Sequence, residues 1–244
     1  MSIPEKSAVI IFNHALNQQA IELKNRFKGK VDVYLFDSGS EIGEEERHHF
    51  DKSFENIYYN GLLNYTNEFL KEHGYEIGMI ITSDVGIGDV DVFLKKTFNA
   101  FKDEKVGAYA PSATYSYHRH MNYGKDKGLQ QVSYTEGFCF AFRTEVMDAM
   151  CPVDLSLNKF GYGTDSILGF HALDLGYISV VDYTFFVDHP YGSGYDKHEA
   201  VRAKHAWLAS LPKAQQRFYK LVSKSILKNR LGAFLADLFF RNKR

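Results

Sequence analysis

Short apolar runs alternate with amphipathic stretches along the first hundred residues. Residues 8–12 (AVIIF) form a compact β-rich run, which predicts a buried strand. Residues 18–28 place Ile21, Leu23 and Phe27 at helical spacing, and residues 31–36 (VDVYLF) read as a second strand. DSGS at 37–40 has the composition of a turn, and a charged loop, EIGEEERHHFDK, follows it. The stretch 61–73 returns to helical spacing through Leu62, Leu63, Tyr65, Phe69 and Leu70, with Gly74 as its stop. Residues 77–82 (IGMIIT) predict a third strand. Beyond it the chain reads as helix 92–101, strand 106–110 and a polar, aromatic loop 111–128. Strand 133–142, helix 145–150, helix 166–175 and strand 177–187 complete the pattern.

Strands alternating with helices at this spacing imply βαβ units and a mainly parallel sheet. In such a sheet a ligand sits beyond the carboxyl ends of the strands. Three polar clusters fall there: Asn13 with His14, residues 37–40, and Ser83 with Asp84. No internal repeat and no Pro- or Ser-rich linker divides the chain. The pattern gives one α/β domain over residues 1–212 and a helical tail over 213–244.

Charge changes the picture of the tail. The net charge of the chain is −1, which argues against a nucleic-acid partner. From Gln215 onward, however, eight Lys and Arg face Asp237 alone, a local excess of +7 on a body carrying −8. Leu221, Val222, Ile226, Leu227, Leu231, Phe234, Leu235, Leu238 and Phe239 recur along one helical face of this segment. A basic amphipathic helix of this kind lies on an anionic membrane surface, or else packs on its own domain or a second subunit. Cys139 and Cys151 have neither disulfide nor zinc spacing, so reduced thiols in a cytoplasmic protein are expected. The first twelve residues lack a basic segment and a long apolar core, so no secretory leader is expected. No run is long enough to span a bilayer, and any membrane attachment would be peripheral. The 20 Phe and 16 Tyr fill the core for the most part, and a surplus suits stacking on bases or sugar rings.

Four segments then appear in a telling order over residues 8–190: FDSGS at 36–40, IITSDV at 80–85, TEGFCFAFRTEV at 135–146, and FGYGTDSILGFHALDLGY at 160–177 with a strand ending near His189. Together they resemble the family 2 glycosyltransferases. The resemblance implies the GT-A fold, a Rossmann-like, mostly parallel central sheet flanked by helices. It also implies transfer of a sugar, a hexose, from a nucleotide-sugar donor to a hydroxyl of a glycan or lipid-linked acceptor, with inversion. Polysaccharide or glycolipid biosynthesis is the setting such a reaction serves.

The same resemblance assigns roles. Asp84 matches the last aspartate of the family's D-x-D element, which binds the donor and holds Mn²⁺ or Mg²⁺ on its diphosphate. Ser83 and Thr82 stand where a further aspartate is often found. The literal DVD at 89–91 lies too far past the strand and reads as a helix cap. Asp165 matches the final acid of G-x-G-E-D, the general base, with Thr164 in place of the glutamate; capping of the following helix is the structural alternative. His189 is similar to an additional metal ligand, with Asp188 as fallback. Asp37 matches the aspartate that contacts uracil or ribose, or forms an Asx turn with Ser38 and Gly39. Asn13, with His14 and Ser83, would line the same nucleotide pocket. Tyr115, Tyr117, His118, Arg119 and His120 lie where an acceptor would be recognised, whereas His48 and His49 read as solvated. The departures at Ser83 and Thr164 leave one alternative, a catalytically silent nucleotide-sugar or glycan binding protein on the same fold. A nucleotidyltransferase would call for a glycine-rich phosphate loop after the first strand, which this sequence does not have.

Overall fold

The computed structural model describes residues 6–116, 118–122, 128–190 and 195–225, the side chains of Arg119, Lys224 and Ser225 excepted. Tyr117 and the apolar positions from Ile226 to Phe239 lie outside the described residues. The first half is built as expected apart from β3: β1 (Ser7–Asn13), α1 (Asn17–Phe27), β2 (Asp32–Ser38), β3 (Lys52–Phe54), α2 (Tyr58–Glu72) and β4 (Ile77–Thr82). Then come α3 (Val90–Ala100), β5 (Val106–Ala113), β6 (Leu129–Val132), β7 (Cys139–Arg143), α4 (Thr144–Asp148), α5 (Thr164–Asp174), β8 (Ile178–Val187), α6 (Lys197–Ser210) and α7 (Lys213–Ser225).

The strands form one sheet in the order β3-β2-β1-β4-β7-β5-β8-β6. β3, β2, β1 and β4 are parallel neighbours, and β5 is parallel to β8; β7 runs against both β4 and β5, and β6 against β8. Six strands therefore point one way and two the other. Every residue of β1 is buried, as its unbroken apolar run requires for a strand covered on both faces. The chain steps from β1 to β2 in one direction and from β3 across to β4 in the other. Right-handed crossovers then put α1 and α2 on opposite faces. α1 meets α3 through the Phe27 and Phe93 rings, 6.2 Å apart, while α2 packs on α4 and α4 on α5.

Of the predicted strand 133–142 only the end, from Cys139, is strand, and β6 precedes it. β6 pairs with β8 at the sheet edge and β7 lies between β4 and β5, so residues 133–138 must cross from one position to the other. Ser133, Tyr134, Thr135 and Phe138 are buried along that crossover. The charged loop after β2 also holds a short 3-10 turn, Arg47–His49, and the strand β3.

The start of the tail packs on the domain. Phe218 of α7 is fully buried edge-on to Phe170 of α5 at 5.7 Å, and with Val222 and Tyr134 it makes a small second core. Gln215 Nε2 lies 3.2 Å from His171 Nε2. Among the described residues no helix is long and apolar enough to cross a membrane.

Candidate functional site

The carboxyl ends of β1, β2 and β4 are level with one another. Asn13 pairs in register with Asp37, Phe12 with Thr82, and the Ser83 amide donates to the Phe12 carbonyl at 2.9 Å. Asn13 and Asp37 are both buried. Asn13 Nδ2 donates to Asp37 Oδ1 at 2.8 Å, and the Ser40 hydroxyl donates to the same oxygen. Asp37 Oδ2 accepts from the Ser40 amide at 3.0 Å, so an Asx-type turn and a strand-end aspartate coexist. The Ser40 hydroxyl in turn accepts from the Ala15 amide at 2.7 Å, with Ala15 held at φ 59°. Gly39, at φ +79°, brings the loop against Asn56, where a Cβ would meet the Asn56 Cβ at 2.7 Å. The network therefore fixes two backbone loops at the edge of the sheet, with exposed His14 between them, its Nδ1 2.7 Å from the Ser38 carbonyl.

Asp84 follows β4 in a turn closed by the Val85 amide on the Thr82 carbonyl, and Thr82 Oγ1 donates to Asp84 Oδ1 at 2.6 Å. Gly86 and Asp188 exchange both backbone hydrogen bonds at 2.8 Å. That bridge delivers His189 to Asp84, Nε2 to Oδ2 3.9 Å. The His189 ring stacks on Phe138 at 4.0 Å and 13°, and its Nδ1 lies 3.3 Å from the Tyr115 carbonyl. A carbonyl can only accept, so Nδ1 carries a proton in that contact, and in the neutral ring Nε2 holds the lone pair on the Asp84 side. At 3.9 Å the two are too far apart for a direct hydrogen bond. They place one oxygen and one nitrogen side by side as possible metal-ligating atoms. Among the described residues no group of three or more His, Cys, Asp or Glu is arranged to hold a metal ion. A two-donor set fits Mn²⁺ or Mg²⁺ whose other positions are filled by phosphate oxygens and water.

Asp165 lies in the first turn of α5, entered through Gly163 at φ 87°. Neither Thr164 nor Asp165 is the cap residue: Thr164 Oγ1 donates to the Gly161 carbonyl at 2.5 Å, and Asp165 Oδ1 accepts from the Ser166 amide at 2.7 Å. The Asp165 side chain is 15% exposed and its Oδ2 lies 3.9 Å from His118 Nε2. Burial raises its pKa above the usual range, opposed by the charges of His118 and Lys204 and by bonds from Ser166. Glu136 Oε1 lies 3.9 Å from the same His118 Nε2, and its other oxygen accepts from the Ser116 hydroxyl. Burial pushes the Glu136 carboxyl up to about 7, against the pull of His118 and Ser116. The Tyr134 hydroxyl lies 2.6 Å from His118 Nδ1. A small apolar pocket reaches Asp165, lined by Tyr59, Leu63, Phe140, Met147 and Leu168 among others.

Asn13, Asp37, Ser83, Asp84 and His189 thus meet at one edge of the sheet. Asp165 is linked to that edge through Gly137 and Phe138: the Phe138 carbonyl accepts from the Thr82 amide at 2.8 Å, and the Gly137 carbonyl from Tyr59, which also lines the Asp165 pocket. Asp89 stands apart from the site and caps α3, accepting from the Val92 amide at 3.0 Å. Glu136 is the residue that sequence reasoning missed. It sits inside the quoted TEGFCF segment, which reads as part of a strand through 133–142 and not as a crossover. An acid beside a glycine in an otherwise apolar stretch was the available signal.

No protein-family model matches the chain, and no curated protein matches it in sequence. Among solved structures the chain is similar to GalNAc-T7 with UDP, GalNAc and Mn²⁺, at 12% identity and a TM-score of 0.57. The match covers 91% of this chain and 51% of that one, so the chain spans about half the length of that neighbour. It is also similar to CMP:2-keto-3-deoxy-manno-octonic acid synthetase complexed with CTP, at 11% identity and a TM-score of 0.45, covering 82% of this chain and 98% of that one. The first likeness shows the fold: the chain has a GT-A-like, Rossmann-type architecture.

Proposed function

We propose that the protein is a nucleotide-sugar-dependent glycosyltransferase that moves a hexose, with inversion, to a hydroxyl of a glycan or lipid-linked acceptor. The observation that carries this reading is the convergence of Asp84 and His189, 105 positions apart in the chain, with an acceptor-ready Nε2 at 3.9 Å from the carboxylate. The GalNAc-T7 structure on the same fold contains UDP, GalNAc and Mn²⁺, which supports a donor of that chemical class here. Asn13, Asp37 and Ser83 shape the loops against which the nucleotide lies. Asp84 and His189 would hold Mn²⁺ or Mg²⁺, which when bound offsets the charge of the departing diphosphate.

Asp165 acts as the base. As the acceptor oxygen bonds to the anomeric carbon, its proton passes to the Asp165 carboxylate, and the bond to the diphosphate breaks with its electron pair on the phosphate oxygen. A raised proton affinity suits that task, because a base poised nearer neutral pH takes a proton more readily. The basic tail beyond α7 would bring the enzyme to an anionic membrane surface on the cytoplasmic side, where a lipid-linked acceptor resides.

Asp165→Asn tests the assignment while preserving shape. Transfer is expected to fall by roughly 10²–10⁴-fold with donor affinity unchanged. Transfer near the wild-type rate would remove Asp165 from the chemistry, and donor binding without hydrolysis or transfer in the wild type would favour a silent binding protein.

A further inference from the structure

Two carboxylates face one imidazole nitrogen: Glu136 Oε1 and Asp165 Oδ2 are each 3.9 Å from His118 Nε2. We infer that His118 couples Glu136 to Asp165, and that Glu136 is a positioning residue which sets how Asp165 holds and releases a proton.

The ring is pinned from its other side. Tyr134 is 2% exposed, lies in the small core of Phe170, Phe218 and Val222, and puts its hydroxyl 2.6 Å from His118 Nδ1. Burial raises the Tyr134 pKa far above its ordinary value, so the phenol keeps its proton. With Nδ1 taken up by that phenol, Nε2 is the nitrogen that faces the two carboxylates. Glu136 is held from behind by Ser116, whose hydroxyl also accepts from the His118 amide at 2.9 Å. The charged and titratable groups facing Glu136 are His118 from the loop after β5, Asp165 from α5 and, more weakly, Tyr59 from α2 and Tyr134 from its own segment. Glu136 and Asp165 are 17% and 15% exposed, so water screens their interaction poorly.

The consequence depends on the state of Glu136. While it carries a proton, Glu136 adds no negative charge beside Asp165. Once Glu136 ionises, the two carboxylates repel each other across His118, and that repulsion strengthens the hold of Asp165 on a proton. Burial places that change at about pH 7.

The coupling is a property of the free protein; its catalytic meaning rests on Asp165 being the base. The test is ¹³C NMR of the Glu136 carboxyl through a pH titration of the full chain, without donor, in wild type, Asp165→Asn and His118→Asn. The midpoint is expected near 7 in wild type, lower in Asp165→Asn, and higher in His118→Asn. A midpoint that moves in neither variant overturns the coupling; Asp165→Asn, nearly isosteric, keeps the test valid should the histidine variant unfold. In transfer assays Glu136→Gln is expected to lose the inflection near neutral pH with donor affinity intact, and Glu136→Asp to restore it. An unaltered pH profile in Glu136→Gln overturns the positioning role. Shifted midpoints in a protein that transfers no sugar support the coupling and overturn the transferase reading.

Discussion

Glu136 and His120 lie on either side of Tyr134, and burial moves their proton affinities in opposite senses. The Glu136 carboxyl is raised from 4.5 to about 7, and the buried His120 imidazole is lowered from 6.5 to about 4. In Glu136 the folded state holds a proton that the unfolded chain releases first. Its contribution to stability is fully present below about 4.5 and lost as pH rises through 7. In His120 the folded state stays neutral while the unfolded chain takes up a proton, so its contribution is present above 6.5 and lost as pH falls through about 4. Glu136→Gln removes the first dependence. The variant is expected to match wild type in urea denaturation at pH 4.5 and to exceed it at pH 8. The excess is on the order of 1.4 kcal/mol for each unit by which the carboxyl is raised. An equal difference at both pH values would mean that the carboxyl is not raised by the fold. At this scale the sequence was informative where a residue's position is tied to a strand end, as for Asp37 and Asp84. It was silent on Glu136, whose environment is made by His118 and Asp165 from other segments.

α7 shows what an element can add that its own pattern leaves open. The apolar face beginning at Leu221 fitted a membrane, a subunit or the chain's own domain equally well. Its first turns cover Phe170 and Tyr134, with Phe218 fully buried. Phe218→Ala should therefore cost about 3–5 kcal/mol in denaturant unfolding, the range for an aromatic removed from a core. Because Tyr134 shares that cluster and steadies His118, the variant should also disturb the His118 ring resonances. A loss under about 1 kcal/mol would place Phe218 outside the core. α6 was not legible as a helix: its buried positions are Ala200, Trp207 and Leu208, too few to draw a stripe. The readable signal was Asp196, which caps it by accepting from the His198 and Glu199 amides. β3 escaped because three half-exposed residues carry no periodicity.

For the molecule as a whole, alternation of apolar runs with amphipathic helices was enough to give the parallel half of the sheet and the edge at which Asn13, Asp37, Ser83 and Asp84 gather. The reversal of β7 was not legible, since a buried strand has the same composition in either direction. It matters for the site: with Cys139 opposite Ile81, the residues that precede β7 are carried past the end of β4. Phe138 reaches His189 and Glu136 reaches His118 for that reason. On the proposed function, this edge binds a nucleotide sugar through a cation held by Asp84. The direct measurement is the melting temperature of wild type and Asp84→Ala with UDP-, GDP- and dTDP-sugars, each with and without Mn²⁺. A ligand at a hundred times its Kd stabilises the native state by about 2.7 kcal/mol. A Mn²⁺-dependent rise is expected with at least one donor in wild type, and its loss in an Asp84→Ala protein whose ligand-free melting is unchanged. No rise with any donor, or a rise that survives in Asp84→Ala, would contradict the proposed function.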